Sequence, residues 1–337
     1  APESGKKTDG EVGMTNILIL SAGTRDEVVQ YFKKELAGRG KVIATDCSPL
    51  APAIYEADEH VIVPRITEEG YLETILSLCR EKEISGVFSL IDPELSLLAA
   101  HREEFLAAGT VPVVPDADAV ELCFDKYRMY EKLIELGVPT GKCYRTPEAF
   151  FAARERGEID YPVFLKPVCG SASLNISEVS NRDEVELLCR ENPELMIQEF
   201  MNGQEYGADL YIDLISGEVI SIFVKKKLKM RAGETDKAVS FRDEALFSFL
   251  QEFARRMGFR GMIDIDLFRI GETWYVSEVN PRFGGGYPHA YACGVNVPAM
   301  VINNLEGRKN EPCIGAYKAG VVMMKYSEIM IREGIQE

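Results

Sequence analysis

The residues best suited to chemistry lie in Glu278-Val279-Asn280-Pro281-Arg282-Phe283-Gly284-Gly285-Gly286, preceded by Asp264-Ile265-Asp266-Leu267-Phe268-Arg269. Gly271 separates two strand-like runs, so the spacing predicts a hairpin that brings Asp266, Glu278 and Asn280 together. Strand side chains alternate between faces, which puts Glu278 and Asn280 on one face, as it does Asp264 and Asp266. Such a face offers hard oxygens. Mg²⁺ favours one or two carboxylates plus phosphate oxygens and water, and Arg282 just beyond can take a phosphoryl oxygen. The plainer alternative is a solvated hairpin whose acids keep an edge strand soluble. It fits poorly here, because the acids sit inside apolar runs such as Met262-Ile263 and Trp274-Tyr275-Val276, and a buried carboxylate is costly unless paired or metal-bound. The hairpin therefore implies Mg-nucleotide chemistry.

Three further segments could serve the same ligand. Lys166 ends an apolar strand and is followed by Pro167 and Cys169-Gly170-Ser171-Ala172-Ser173, whose small residues let backbone N–H groups approach an anion. Gln198-Glu199-Phe200-Met201 closes another strand. Polar groups there can meet an adenine edge, with Phe200 or Met201 against its face, and Glu205 can accept from ribose hydroxyls. Lys225-Lys226-Lys227-Leu228-Lys229-Met230-Arg231 concentrates positive charge in a chain of net charge −16, which suits a small polyanion. Each of these segments alone reads as ordinary strand and turn.

The elements that must position them begin with a clean alternation. Asn16 to Leu20, Val42 to Thr45 and Gly86 to Leu90 read as buried strands, interleaved with helices carrying Val28, Val29, Phe32 and Leu36, then Leu72, Ile75, Leu76 and Cys79. That pattern predicts a parallel sheet flanked by helices. Only one glycine of the dinucleotide fingerprint follows the first strand, which argues against a nicotinamide cofactor. Next come helices from Asp125 to Gly137 and from Thr146-Pro147, a strand from Pro162 to Pro167, a strand from Asn175 to Val179 and a helix capped by Asn181. Long strands follow at Leu195 to Phe200, Glu205 to Ile215 and Val219 to Arg231, then a helix from about Arg242 to Met257, the acidic hairpin, and a helix from about Pro298 through Leu305.

Composition narrows the class. Hydrophobic residues at 46% and charged residues at 27% are ordinary for a soluble globular protein, and no apolar run reaches the length of a membrane span. The acidic balance argues against nucleic acid as a partner. The eight cysteines are scattered without a C-x-x-C, which favours reduced thiols in a cytoplasmic protein and no zinc site. The polar stretch before Met14 reads as an expression remnant or disordered tail, and no signal peptide is expected.

The order of the motifs is more specific than any one of them. Asp125-Lys126, the Lys166 strand with its Gly/Ser loop, Gln198-Glu199-Phe200-Met201 with Glu205, the basic strand, Asp266, and then Glu278-Val279-Asn280-Pro281-Arg282 together resemble the ATP-grasp superfamily, most closely its carbamoyl-phosphate-synthase-type branch. The resemblance implies a Rossmann-like α/β domain over 14–115, an α+β small lobe over 116–195 and a large lobe with the Mg²⁺ site over 196–337. It implies Lys126 and Lys166 on ATP phosphates beneath a loop holding Gly170, Ser171 and Ser173. Gln198, Glu199, Phe200 and Met201 would surround the adenine, and Glu205 would bind the ribose. Asp266, Glu278 and Asn280 would hold two Mg²⁺ ions, or Mn²⁺, with Glu278 shared. Arg282 would act on the transferring phosphoryl group, assisted from the basic strand by Lys229 and Arg231. An acceptor pocket bounded by Phe283, Gly284 to Gly286, Tyr287 and His289, with Asp92 and Glu94 near, is also implied. The expected activity is that of a stand-alone carboxylate–amine ligase acting on small molecules, with no membrane partner and a homodimer as the assembly to test. A carbamoyl-phosphate-synthase-like enzyme and a non-catalytic nucleotide-binding module stay open as alternatives.

Overall fold

The computed structural model describes residues 14–170, 176–231 and 233–335. Strands β1 (Asn16–Leu20), β2 (Val42–Asp46), β3 (Glu59–Ile62), β4 (Ile84–Ser89) and β5 (Val111–Pro112) form a parallel sheet in the order β3-β2-β1-β4-β5. The central strands are largely apolar and buried, as suits a sheet with helices on both faces. Helix α1 (Asp26–Leu36) buries Val28, Val29, Phe32 and Leu36, and α2 (Tyr71–Glu81) buries Ile75, Leu76 and Cys79. Helices α3 (Asp92–Ala100) and α4 (Arg102–Ala107) follow β4. Strand order reverses between β1 and β4, so the ends of these strands, Ser21 and Leu90-Ile91, border the crevice in which such sheets bind ligands.

After α5 (Ala117–Phe124), helix α6 (Lys126–Glu135) is capped by Asp125, whose carboxylate accepts from the backbone N–H groups of Tyr127 and Arg128. Strand β6 (Cys143–Tyr144), helix α7 (Pro147–Glu155), strands β7 (Val163–Pro167) and β8 (Ser177–Val179), helix α8 (Arg182–Glu191) and strand β9 (Leu195–Glu199) complete a small lobe whose antiparallel sheet runs β6-β9-β7-β8. Its core of Phe150, Val163, Leu165, Val185 and Ile197 is separate from the rest of the molecule. The Leu195 strand, placed by pattern at the start of the larger lobe, pairs instead with β7, Lys166 opposite Met196.

The third sheet is antiparallel, in the order β14-β13-β10-β11-β12-β15. It comprises β10 (Gln204–Ile212), β11 (Val219–Arg231), β12 (Glu234–Phe241), β13 (Gly261–Ile270), β14 (Thr273–Asn280) and β15 (Val322–Met324), with helices α9 (Glu244–Met257), α10 (Tyr287–Ala292) and α11 (Val297–Leu305). Strand β10 stops short of Ile215 because the Asp213 carboxylate takes the N–H groups of Ile215 and Ser216 and folds the turn. Helix α9 starts after Asp243, which caps it through Leu246 N–H. Phe283 packs edge-on against Phe32 and beside Phe88, so this sheet and the parallel sheet share one hydrophobic core. Among the described residues no helix is long and apolar enough to cross a membrane.

Candidate functional site

Asp266 pairs with Glu278 and Asp264 with Asn280 across β13–β14; Gly207 pairs with Asp266 and Asp209 with Asp264 across β10–β13; Gly207 pairs with Lys225 across β10–β11. Directly opposed residues in an antiparallel ladder share a face. One face of the sheet therefore carries Glu278, Asp266 and Lys225 in a row, and Asn280, Asp264 and Asp209 in the next. Facing them across a cleft of about 920 Å³ are Lys166 of β7, Lys126 at the start of α6, and Gly170.

The charges in this cleft are heavily paired. Lys166 is buried, which pushes its pKa down, with Glu278 Oε2 4.0 Å from its Nζ opposing that shift. Lys126 donates to the Gly170 carbonyl, tying the start of α6 to the glycine loop. Lys227 Nζ donates to Glu205 Oε1 at 2.7 Å and to Asp266 Oδ1 at 2.6 Å. Burial works against its charge, but Asp266 and Glu205 outweigh it and hold the ammonium protonated above the usual lysine range. Beneath them Lys225 bonds Asp209, with both side chains buried. Burial, with the neighbouring Asp266 and Asp209 carboxylates, pushes Asp264 up to about 7. Arg282 donates through Nε to Asp92 Oδ1 at 2.8 Å and through Nη1 to the Phe283 carbonyl at 3.2 Å.

The triple glycine exists to seat these side chains. A Cβ on Gly284 would lie 2.5 Å from Asp264 Cγ, one on Gly285 2.8 Å from Glu234 Cδ, and one on Gly286 2.7 Å from Lys225 Cε. Phe283, Tyr287 and His289 do not bound a pocket: all three are buried, and His289 points Nε2 at the Val321 carbonyl 2.9 Å away, with burial lowering its pKa. Glu94 is also buried, accepting hydroxyl hydrogen bonds from Ser21, Tyr71 and Ser89. Of the expected acceptor residues, Gly285 and Gly286 line the cleft, and Asp92 reaches it through Arg282.

The basic strand differs from expectation. Simple alternation puts Lys225, Lys227, Lys229 and Arg231 on one face, but the register of β11 against β12 shifts on both sides of Lys229. Lys229 is consequently exposed and lies outside the cleft lining formed by the described residues, whereas Lys225, Lys227 and Arg231 line it. The Gln198 carboxamide reaches a narrow recess shared with Lys166 and Glu278. The Glu199 carboxylate accepts from Lys142 N–H at 2.9 Å, Phe200 stacks on Phe164 with centroids 5.4 Å apart, and Met201 packs against Gly141. Ser171 and Ser173 lie outside the described residues. Missed by sequence were Asp209, which carries the same signal as Asp264, an acid inside an apolar run, and the outer end of the cleft. There Arg25 and Lys325 each donate to Glu234 at 2.8 Å. Residues 209 and 91 positions apart in sequence, as these pairs are, give no motif.

Asp266 and Glu278 opposed in register, with Asn280 one alternation on, fit a hard dication. Among the described residues no three His, Cys, Asp or Glu side chains form a self-contained metal cage, so an ion there would need phosphate or water to complete its shell.

A small antiparallel lobe presenting lysines to an acidic sheet face defines the class: residues 123–286 match the ATP-grasp domain family, and residues 17–114 match the PylC-like N-terminal domain family. The chain thus carries an ATP-grasp domain preceded by a PylC-like N-terminal domain. More particularly, it is similar to a carbamoyl-phosphate synthase of Methanobrevibacter smithii, 24% identical, covering 87% of this chain and 81% of that one. It is 26% identical to the y4rH protein of Sinorhizobium fredii, covering 81% of this chain and 59% of that relative's length. In structure it resembles the biotin carboxylase domain of 2-oxoglutarate carboxylase from Hydrogenobacter thermophilus, solved with MgADP and bicarbonate, with a TM-score of 0.75 at 18% identity over 92% of this chain and 73% of that one.

Proposed function

We propose that this protein phosphorylates a small carboxylate with ATP and joins the acyl phosphate to an amine-type nucleophile, releasing ADP and phosphate. The observation that carries the reading is the opposition, across one cleft, of Lys126 and Lys166 to the Asp266, Glu278, Asn280 and Arg282 set. Lys126 and Lys166 would bind phosphate oxygens by charge-assisted hydrogen bonds, with Gly170, Ser171 and Ser173 as further phosphate-binding residues on this reading. The strand end from Gln198 to Met201 would hold the adenine and Glu205 the ribose. Asp266, Glu278 and Asn280 would hold Mg²⁺, two ions sharing Glu278, with Mn²⁺ able to substitute. The metal, when bound, offsets phosphate charge and polarises the transferring group. Arg282, anchored by Asp92, keeps its Nη2 for the phosphoryl group. Catalysis on this reading is positioning plus electrostatics and requires no protein nucleophile.

The MgADP and bicarbonate in the related carboxylase domain support the nucleotide and a small oxyanion as its companions. The wall formed by Leu90, Ile91 and Pro93, at the reversal point of the parallel sheet, would receive the acceptor. ADP release from MgATP should depend on a carboxylate and rise again with an amine when pooled compounds of both classes are screened. MgATP binding without turnover on any pool would identify a non-catalytic nucleotide module, and failure to bind MgATP would overturn the reading.

A further inference from the structure

Lys227 holds the metal-facing and ribose-facing acids with a single ammonium. Its Nζ lies 2.6 Å from Asp266 Oδ1 and 2.7 Å from Glu205 Oε1, and the side chain is 4% exposed. Of the other cations lining the cleft, Lys225 pairs with Asp209, Lys126 with the Gly170 carbonyl, Arg282 with Asp92, and Arg25 and Lys325 with Glu234, while Lys166 comes only within 4.0 Å of Glu278 and Arg231 is exposed at the rim. Asp266 is thus neutralised by a tethered cation in the position where a dication would bind it. We propose that Lys227 is an internal counter-ion that blocks metal binding to the empty cleft and yields Asp266 only when a nucleotide polyphosphate arrives, so that the metal enters with the nucleotide.

The inference rests on the nucleotide and metal reading above, but it concerns order, which that reading leaves open. A lysine ammonium has three donors and two are used here, so one remains for a phosphate oxygen, and Glu205 can keep its bond while Asp266 is released. Glycine at position 207 makes this change feasible. The Cβ of any other residue there would lie 3.4 Å from Lys227 Cε and 3.1 Å from Lys225 Cε, crowding both stems. Free Mg²⁺ or Mn²⁺ must instead displace the lysine with no phosphate to receive it, leaving a buried ammonium with one acceptor fewer. The binding of metal and nucleotide is consequently coupled, each raising the affinity for the other.

The test counts free Mn²⁺ by electron paramagnetic resonance in titrations of the whole protein, first with Mn²⁺ alone and then with ADP present. Wild type should bind Mn²⁺ alone at least tenfold more weakly than Lys227→Gln and Lys227→Met, a difference of about 1.4 kcal/mol. Lys227→Arg, which keeps the charge, should behave as wild type. Adding Asp266→Asn to Lys227→Gln should return Mn²⁺ binding to the weak level, which locates the released site. With ADP present, wild type should gain far more Mn²⁺ affinity than Lys227→Gln. Equal Mn²⁺ affinity in wild type and both neutral variants, each folded by circular dichroism, would overturn the proposal while leaving the nucleotide reading intact. Absence of Mn-ADP binding by wild type would overturn both.

Discussion

Lys166 illustrates what a single residue contributes. It is 6% exposed, and burial disfavours its charge, so its place in the fold is sustained by the acids it faces and, on the proposed reading, by phosphate. Lys166→Ala should weaken MgATP binding by more than tenfold, roughly the 1.5–3 kcal/mol of one hydrogen bond to a charged group, as read by calorimetry. Arg282→Lys keeps charge but loses the fork held between Asp92 and Phe283, so kcat should fall while MgATP affinity changes little. Equal losses in both would assign Arg282 to ground-state binding. Glu278→Gln preserves shape and removes the negative charge that the proposed metal site needs; on that reading turnover should collapse in a folded protein when ADP production is titrated against Mg²⁺. Asp264→Asn is the matched control. That carboxyl lines the cleft against Gly284 and is opposed to Asn280 rather than to Glu278, so its amide variant should keep the Mg²⁺ dependence that Asp266→Asn loses.

At the scale of elements, Asp213 joins the β10–β11 turn to α11. Its Oδ1 takes the turn N–H groups, and its Oδ2 takes the Asn304 amide at 2.8 Å and both the backbone and side-chain N–H groups of Asn310. Burial would raise its pKa, but these donors prevail and hold the carboxylate at about 2. A folded pKa below the unfolded one gives stability that is complete above pH ~4 and is lost as pH falls toward 2, about 2 kcal/mol after allowance for screening. Asp213→Asn should lower stability by about that amount at pH 7 and flatten the acid limb between pH 4 and 2 in denaturant titrations. The same turn shows what the sequence could and could not disclose. Periodicity located most strands and helices, and the two strand runs about Gly271 disclosed the hairpin that joins Asp266 to Glu278, but their direct opposition depends on a register shift between Asp266 and Leu267 that alternation does not supply. Strand β12 escaped because Glu234-Thr235-Asp236-Lys237 has too little apolar surface to signal a strand; its pairing with β11 comes from tertiary context. Lys229 was misplaced for the related reason that a register shift has no local signature. Lys225 and Lys227 carried the right residue type, and only the fold distinguishes them from Lys226 and Lys229.

For the whole molecule, the division of cores predicts which part moves. The parallel sheet and the six-stranded sheet share one core, through Phe32, Phe88 and Phe283, while the four-stranded sheet has its own. The four-stranded sheet carrying Lys166, with α7 and α8, can therefore shift over the acidic face without unpacking either larger sheet, while α6 stays behind because Met129 and Leu133 belong to the shared core; closure over bound nucleotide would exclude water from the cleft. On MgADP addition, hydrogen exchange should slow over residues 163–170 and 195–205 and change little across β1 and β4. The Asp92–Arg282 pair is the polar counterpart of the shared core. It connects the first turn of α3 in the parallel-sheet domain to the second residue after β14, and its side chains are only 10% and 12% exposed. Removing one partner of such a pair leaves an uncompensated charge, and a fully buried case costs about 3–5 kcal/mol. Opening onto the cleft should reduce this to about 2 kcal/mol for Asp92→Ala. If the pair fixes Arg282 for phosphoryl transfer as well as joining the two domains, Asp92→Ala should lower kcat at least as much as Arg282→Lys, with MgATP affinity nearly unchanged and faster exchange confined to α3 and residues 282–286. Unchanged exchange and kcat in Asp92→Ala would mean that the aromatic core alone sets the position of Arg282.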